Sequence, residues 1–309
     1  MRAIGVTTFD GIDSVQILDL PEPHAGPGQI RIRVKAATVN PTDVGMVSGR
    51  YDLSGDGPWV PGAEVAGVVS ELGEGTDFVV GDAVAAVVVP YSRTRGGYCD
   101  ELVVPASQVV RIPAGVDAVH AATLPMNGLT AALTVETLQV SSGHTVAVTG
   151  SAGAFGGYVV QLAKAAGARV VADAKDSDVD LVTSLGADDV VERGEDVAGR
   201  IRSLVPDGVD GLSDGSVQGD QVVAAVRDGG RFVSIRGWSG PAGRDIEVTP
   251  ILVYRHASRT DLLERLVALV DTGAITLRVA DVVPAEQAAD AMRRLAAGGV
   301  RGRLVLDFS

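Results

Sequence analysis

The chain has 309 residues, 46% of them hydrophobic, with a formal net charge of −13 and a single cysteine. That length admits two domains with substantial cores, and that hydrophobic content excludes a disordered chain. The charge opposes binding to nucleic acid or anionic membrane surfaces. Cys99 alone permits no internal disulfide and no cysteine-rich metal site, and no apolar run approaches the roughly 18 residues of a membrane span. The opening MRAIGVTTF lacks a charged segment leading into an apolar one, so no secretory signal and a cytoplasmic address are expected.

In chain order, residues 1–120 read as β structure. QIRIRVK at 29–35 alternates apolar and charged residues, the pattern of a strand with one wet face. Turn-forming clusters surround it: PEPHAGPG at 21–28, GDGP at 55–58 and GEGT at 73–76. Residues 83–89 form a short buried strand. After Leu124 the rhythm changes. Strands are predicted at 145–149, 169–172, 189–191, 209–213 and 231–235, alternating with helices at 156–166, 177–185, 196–204 and 218–227. Such alternation predicts a doubly wound parallel sheet. Amphipathic helices at 260–272 and 284–297 and a closing strand at 303–308 complete the chain.

The segment VAVTGSAGAFGGYVVQLAKAAGARVVADAK (146–175) carries the chemistry. Its glycines lie between a predicted strand and a helix whose apolar residues are Val159, Val160, Leu162, Ala163 and Ala166. A bare glycine triplet is as compatible with a plain turn as with a nucleotide. The strand before, the helix after and the next strand from Arg169 select a βαβ dinucleotide site. Gly150 and Gly153 then turn the backbone and let it approach a pyrophosphate. Gly156 allows close packing of the helix, whose N-terminal N–H groups aim at the anion, and Ala154 and Phe155 of the same turn are counted with the cofactor-binding residues.

The turn GSAGAFGGYVVQLAKAAGARV resembles that of the zinc-independent medium-chain dehydrogenase/reductases, the quinone oxidoreductase (zeta-crystallin-like) branch. Ser151 stands for the usual Ala and Phe155 for the usual Val. NPTD at 40–43, PGAEVAGVV at 61–69, GGYCDELVVP at 96–105, LPMNGLTA at 124–131, GGRFVSI at 229–235 and RGRLVL at 301–306 follow in the family's order. The resemblance implies an α/β fold in which a GroES-like β-rich catalytic domain (1–121 and 256–309) encloses a Rossmann domain (122–255) with a doubly wound parallel sheet.

The resemblance also implies site residues. Asn40, Ala63 and Met126 stand where zinc-dependent relatives carry ligands, and none is a usable one, so no zinc is expected. His24, His120, His144 and His256 show no ligand spacing. Without a Lewis acid, the expected reaction is hydride transfer to a quinone or an α,β-unsaturated carbonyl. Asn40 and Thr130 are expected beside the nicotinamide, with Ile235 and Gly237 on the strand passing it. Tyr51, Met126, Asn127 and Trp238 are expected to line the substrate pocket, and the product's proton comes from Tyr51 or from water. Asp173 falls one residue before the acid of NAD-specific members, a place taken here by Ala174. Lys175 and Arg193 lie where NADP users meet the 2′-phosphate, so NADPH is expected, with NADH as the alternative. The competing readings are a pathway-specific enoyl or ketone reductase of secondary metabolism and a non-catalytic NADPH-binding sensor. An apolar edge at 245–254 predicts a symmetric homodimer through paired Rossmann sheets.

Overall fold

The structure is a computed structural model that describes residues 1–53, 56–90, 95–241 and 243–309. It divides into two compact units: Met1–Met126 with His256–Asp271 and Thr276–Ser309, and Asn127–Arg255 with Thr272–Ile275.

In the first unit the chain runs through β1 (Arg2–Gly5), β2 (Gln16–Asp19), β3 (Gln29–Thr38), α1 (Pro41–Val47), β4 (Glu64–Leu72), β5 (Ala83–Val87), β6 (Glu101–Pro105), β7 (Val109–Arg111) and α2 (Ala118–Ala121). The alternation in β3 does what it predicts: Ile30, Ile32 and Val34 are buried while Arg33 is exposed. The strand runs past residue 35 to Thr38, pairing antiparallel with both β4 and β6.

The second unit contains most of α3 (Pro125–Thr137), then β8 (Thr145–Thr149), α4 (Ala154–Ala165), β9 (Arg169–Ala174), α5 (Val179–Ser184), β10 (Asp189–Glu192), α6 (Val197–Leu204), β11 (Val209–Asp214), β12 (Val226–Ser234) and β13 (Glu247–Pro250). All its strand pairs are parallel, in the order β10-β9-β8-β11-β12-β13. This is the 3-2-1-4-5-6 order of a dinucleotide-binding sheet, whose ligands lie at the carboxyl ends of the strands. Val146, Ala147, Val148 and Thr149 are all buried, as a central parallel strand covered on both faces requires.

One predicted helix does not form. Residues 218–227 make two short 3-10 turns, Gly219–Gln221 and Val223–Ala225, and Val226 already pairs with Val209 in the sheet. The β-branched Val222, Val223 and Val226 favour that outcome, and Gly219 takes a positive φ of 50°.

The chain returns to the first unit with α7 (Thr260–Asp271), β14 (Val279–Pro284), α8 (Ala288–Ala297) and β15 (Arg303–Asp307). β15 pairs antiparallel with β3, so the last strand of the chain is built into the middle of the first sheet. On α8, Ala288, Ala291 and Met292 enter the core cluster while Arg293 and Arg294 stay outside.

Candidate functional site

The glycine turn joins β8 to α4, as its sequence requires. Each of its glycines answers to a different constraint. Gly150 has φ +70°, and a Cβ there would lie 2.9 Å from the carbonyl carbon of Gly215. A Cβ on Gly156 would strike the carbonyl oxygen of Gly150, so this glycine lets the first helical turn press on the loop itself as well as follow the sheet. Gly153, the residue preceding α4, is different. Its φ of −70° and ψ of 170° suit any residue. Among the described residues a Cβ there would have only the Gly150 carbonyl oxygen within 4 Å, at 3.1 Å. Among the described residues, then, the fold demands glycine at 150 and 156 but barely at 153, which precedes a helix N-terminus. That combination fits an anion drawn close to the main chain. Ala154 and Phe155 open the helix, and Ser151 is fully buried.

At the ends of β9 and β10 the structure assembles a charged cluster around the same turn. The Ser151 N–H donates to Asp173 Oδ1 at 3.2 Å, and the Ser151 hydroxyl donates to the Asp173 carbonyl oxygen. Asp173 is 1% exposed, and its Oδ2 lies 3.8 Å from Nε of Arg193. Burial pushes the Asp173 carboxyl above its ordinary range, against the lowering effect of the Ser151 N–H and the Arg193 charge. Lys175, the next residue after β9, is exposed. Thus Gly150, Ser151 and Arg193 are brought together at Asp173, and the Gly153 N–H donates to the Gly150 carbonyl within the same turn. Elsewhere in this unit Thr130 is half-buried on α3, and its carbonyl accepts from the Thr134 hydroxyl at 2.8 Å. Asn127 is also half-buried. Ile235 follows β12, and Gly237 has φ +83°, with no described atom within 4 Å of where its Cβ would be. Trp238 packs edge-on against Phe232, ring centroids 4.8 Å apart, and its backbone carbonyl accepts from the Ser234 hydroxyl.

The first unit holds a second, fully buried polar cluster. Asn40 precedes α1, and its backbone N–H donates to Asp43 Oδ2 at 2.8 Å, closing the first helical turn. The other oxygen of Asp43 accepts from the Gly62 N–H at 2.9 Å, and the Tyr98 hydroxyl donates to Oδ2 at 3.0 Å. Burial raises Asp43 to about 6 despite these donors. The Asn40 side chain donates to Glu64 Oε1 at 3.2 Å, and the Met126 N–H donates to Glu64 Oε2 at 2.6 Å. Glu64 also accepts from Thr38 Oγ1 and is paired with Arg303 on β15. Of the three positions compared with zinc ligands, Asn40 and Met126 therefore both donate to the Glu64 of a buried Glu64–Arg303 ion pair, and Ala63 precedes that residue in the chain. No group of three or more His, Cys, Asp or Glu among the described residues is arranged to hold a metal ion. Tyr51 lies over α1: a Cβ on Gly45 would approach its ring to 2.9 Å. Cys99 is buried and its thiol is pushed up to about 12, which keeps it protonated.

Glu64, Arg303, Asp43 and Tyr98 were not singled out in the sequence. The only signal for them is their place in motifs already quoted: Asp43 ends NPTD, Glu64 sits in PGAEVAGVV, Tyr98 in GGYCDELVVP and Arg303 in RGRLVL.

A β-rich unit with a parallel 3-2-1-4-5-6 unit and a glycine turn at the end of its first strand defines a dinucleotide-binding oxidoreductase architecture. Comparison with known proteins agrees. A family described as alcohol dehydrogenase GroES-like domain matches residues 26–114, and one described as zinc-binding dehydrogenase matches residues 185–306. The chain is 30% identical to a probable zinc-binding oxidoreductase, mitochondrial, of Arthroderma benhamiae, over 95% of this chain and 92% of the relative. It is 29% identical to the NADPH-dependent alkenal/one oxidoreductase, chloroplastic, of Arabidopsis thaliana, over 99% of this chain and 79% of the relative. Among solved structures, an NAD-dependent alcohol dehydrogenase superposes with a TM-score of 0.89 at 28% identity, covering 100% of both chains. The chain belongs to the medium-chain dehydrogenase/reductase family, in its quinone oxidoreductase branch, and is an oxidoreductase. No helix among the described residues is long and apolar enough to cross a membrane.

Proposed function

We propose that this chain is a zinc-independent, NADPH-dependent reductase that delivers hydride to a quinone or an α,β-unsaturated carbonyl. The observation that carries the reading is the turn at Gly153: a glycine at a helix N-terminus that the described residues hardly require, only the Gly150 carbonyl oxygen lying within 4 Å of where its Cβ would be. The Arabidopsis relative's name, with its NADPH and its alkenal/one substrates, supports the same choice. Gly150, Ser151, Gly153 and the start of α4 hold the pyrophosphate, and Lys175 reaches the 2′-phosphate. The hydride comes from the reduced nicotinamide when it is bound, and the protein's part is orientation. Asn40, Thr130, Ile235 and Gly237 are assigned to the nicotinamide end, and Tyr51, Met126, Asn127 and Trp238 to the substrate. Asn40 is held for this task from two directions, its N–H by Asp43 and its side-chain amide by Glu64.

Zinc has no part in this reading, because an amide, a methyl and a thioether stand at the compared positions and Glu64 is already committed to Arg303. The test is NADPH oxidation followed at 340 nm (about the nicotinamide band) across a panel of quinones and enones, before and after prolonged chelation. Turnover that survives chelation is expected. Absence of turnover on every acceptor, or loss on chelation with recovery on adding zinc, would overturn the proposal.

A further inference from the structure

The end of β11 carries a buried carboxylate, Asp214, the last residue of that strand. Its Oδ1 accepts from the Thr149 hydroxyl at 2.8 Å, and its Oδ2 accepts from the Gly219 N–H at 2.8 Å. Thr149 ends β8, one residue before the glycine turn, and is itself fully buried. Its hydroxyl oxygen accepts from the Ser216 N–H at 3.3 Å, and its carbonyl accepts from the Gly215 N–H at 3.1 Å. Asp214 thus fastens the segment 215–219 directly at Gly219 and, through Thr149, at Ser216. The segment also touches the turn. A Cβ on Gly150 would lie 2.9 Å from the Gly215 carbonyl carbon, and at the far end a Cβ on Gly219 would lie 2.9 Å from the Trp238 ring. Between the fastened ends Val217 has a φ of 60°, in the left-handed region where a β-branched residue is strained. Such strain persists only where the surroundings over-determine it, and it gathers at binding sites. Here the surroundings are the contacts of Asp214 and Thr149 on either side of Val217, with the Ser216 hydroxyl donating across it to Gln218 Oε1 at 2.7 Å.

Resting on the proposed nucleotide site, we propose that Thr149 and Asp214 are positioning residues. They hold the strained segment 215–219 as a fixed wall against the glycine turn, so that the N–H groups of the turn stand assembled before the nucleotide arrives. Neither side chain need touch the nucleotide. Their contribution to binding is the ordering that the free protein has already undergone, which would otherwise be subtracted from the affinity. The strain at Val217 follows from the same design, because a wall that closely apposed to Gly150 forces the chain through a left-handed residue.

The test compares NADPH binding, by calorimetric titration of the full-length protein, with urea unfolding in the absence of nucleotide. Thr149→Val removes the hydroxyl and keeps the shape of a strand residue. It is expected to weaken NADPH about tenfold, the loss of one hydrogen bond to a charged group. Thr149→Ser restores the hydroxyl and should bind within about twofold of the parent. Adding Val217→Gly to Thr149→Val lets the segment keep its path without the brace, and should bring NADPH affinity back to within about threefold of the parent. Thr149→Val binding within about twofold of the parent, or a double variant no tighter than Thr149→Val, would overturn the inference, whatever the unfolding midpoints. Should Thr149→Val fail to fold, Val217→Gly alone decides. A raised urea midpoint with NADPH affinity kept is expected, and a lowered midpoint would show that no strain is held there and sink the idea. A parent that does not bind NADPH would instead remove the nucleotide reading itself, and the inference with it.

Discussion

Asp43 offers a quantitative check on the polar cluster that holds Asn40. Its carboxylate is wholly buried and receives the Asn40 N–H, the Gly62 N–H and the Tyr98 hydroxyl. Desolvation outweighs these donors and raises the group from 3.8 to about 6. A carboxyl whose folded value lies above its unfolded one favours the folded state in its protonated form. Its stabilising contribution is therefore complete below 3.8 and is lost as pH rises through about 6. At about 1.36 kcal/mol per pH unit, the whole effect is about 3 kcal/mol. Asp43→Asn keeps the size of the side chain and cannot titrate. Urea unfolding of parent and variant at intervals from pH 3.5 to 8 gives a stability difference in which the other carboxyl groups cancel. The parent should lose about 3 kcal/mol relative to the variant across that window, mostly below pH 6.5. A difference that stays flat within about 1 kcal/mol would refute the assignment of burial as the dominant influence on Asp43.

Three further outcomes are expected. Glu64→Gln leaves the Arg303 charge buried without its partner and should destabilise the protein by about 3–5 kcal/mol in denaturant unfolding. A cost below about 1 kcal/mol would mean the pair contributes as little as a surface ion pair. Lys175→Ala should weaken NADPH binding roughly tenfold to a hundredfold and leave NADH nearly unchanged, read by direct titration of each cofactor. Equal NADPH and NADH affinities in the parent would remove the basis for that claim. Among the described residues β13 lies at the edge of the parallel sheet, pairs only with β12 and ends in Pro250, so a second copy can add to it across a two-fold axis. Light scattering at micromolar concentration should return twice 31.6 kDa, and a mass of 31.6 kDa would exclude the dimer.

The parallel sheet was legible because β8, β9 and β10 carry short apolar runs and helices α4, α5 and α6 follow them at the spacing of a crossover. The stretch VAVTGSAGAFGG could be read for the same reason, as strand, turn and helix lie consecutively. The missed helix at 218–227 had apolar residues at helical spacing, but three valines and the pull of Val209 on Val226 drew the segment into turns and strand. Long-range chemistry was less accessible. The Glu64–Arg303 pair joins residues 239 positions apart, and only the pairing of β15 with β3 brings them together. Asp43 and Tyr98 are 55 positions apart. Nothing local in a sequence distinguishes such residues from solvated charges. Asp173 lies between these cases. Its distance from the glycines marked it, while strand alternation alone left open which way its carboxylate faces. Its bond to the Ser151 N–H resolves the direction toward the turn.

The central claim is that the glycine turn is a nucleotide cradle, and Gly153 tests it most directly. The backbone there suits any residue, and among the described residues a Cβ crowds only the Gly150 carbonyl oxygen, at 3.1 Å. Gly153→Val should therefore fold, with its branched side chain filling the space assigned to the pyrophosphate. In a calorimetric titration with NADPH, the parent should bind and the folded variant should show no binding. A variant that unfolds at the parent's denaturant midpoint and binds NADPH as tightly as the parent would contradict the account.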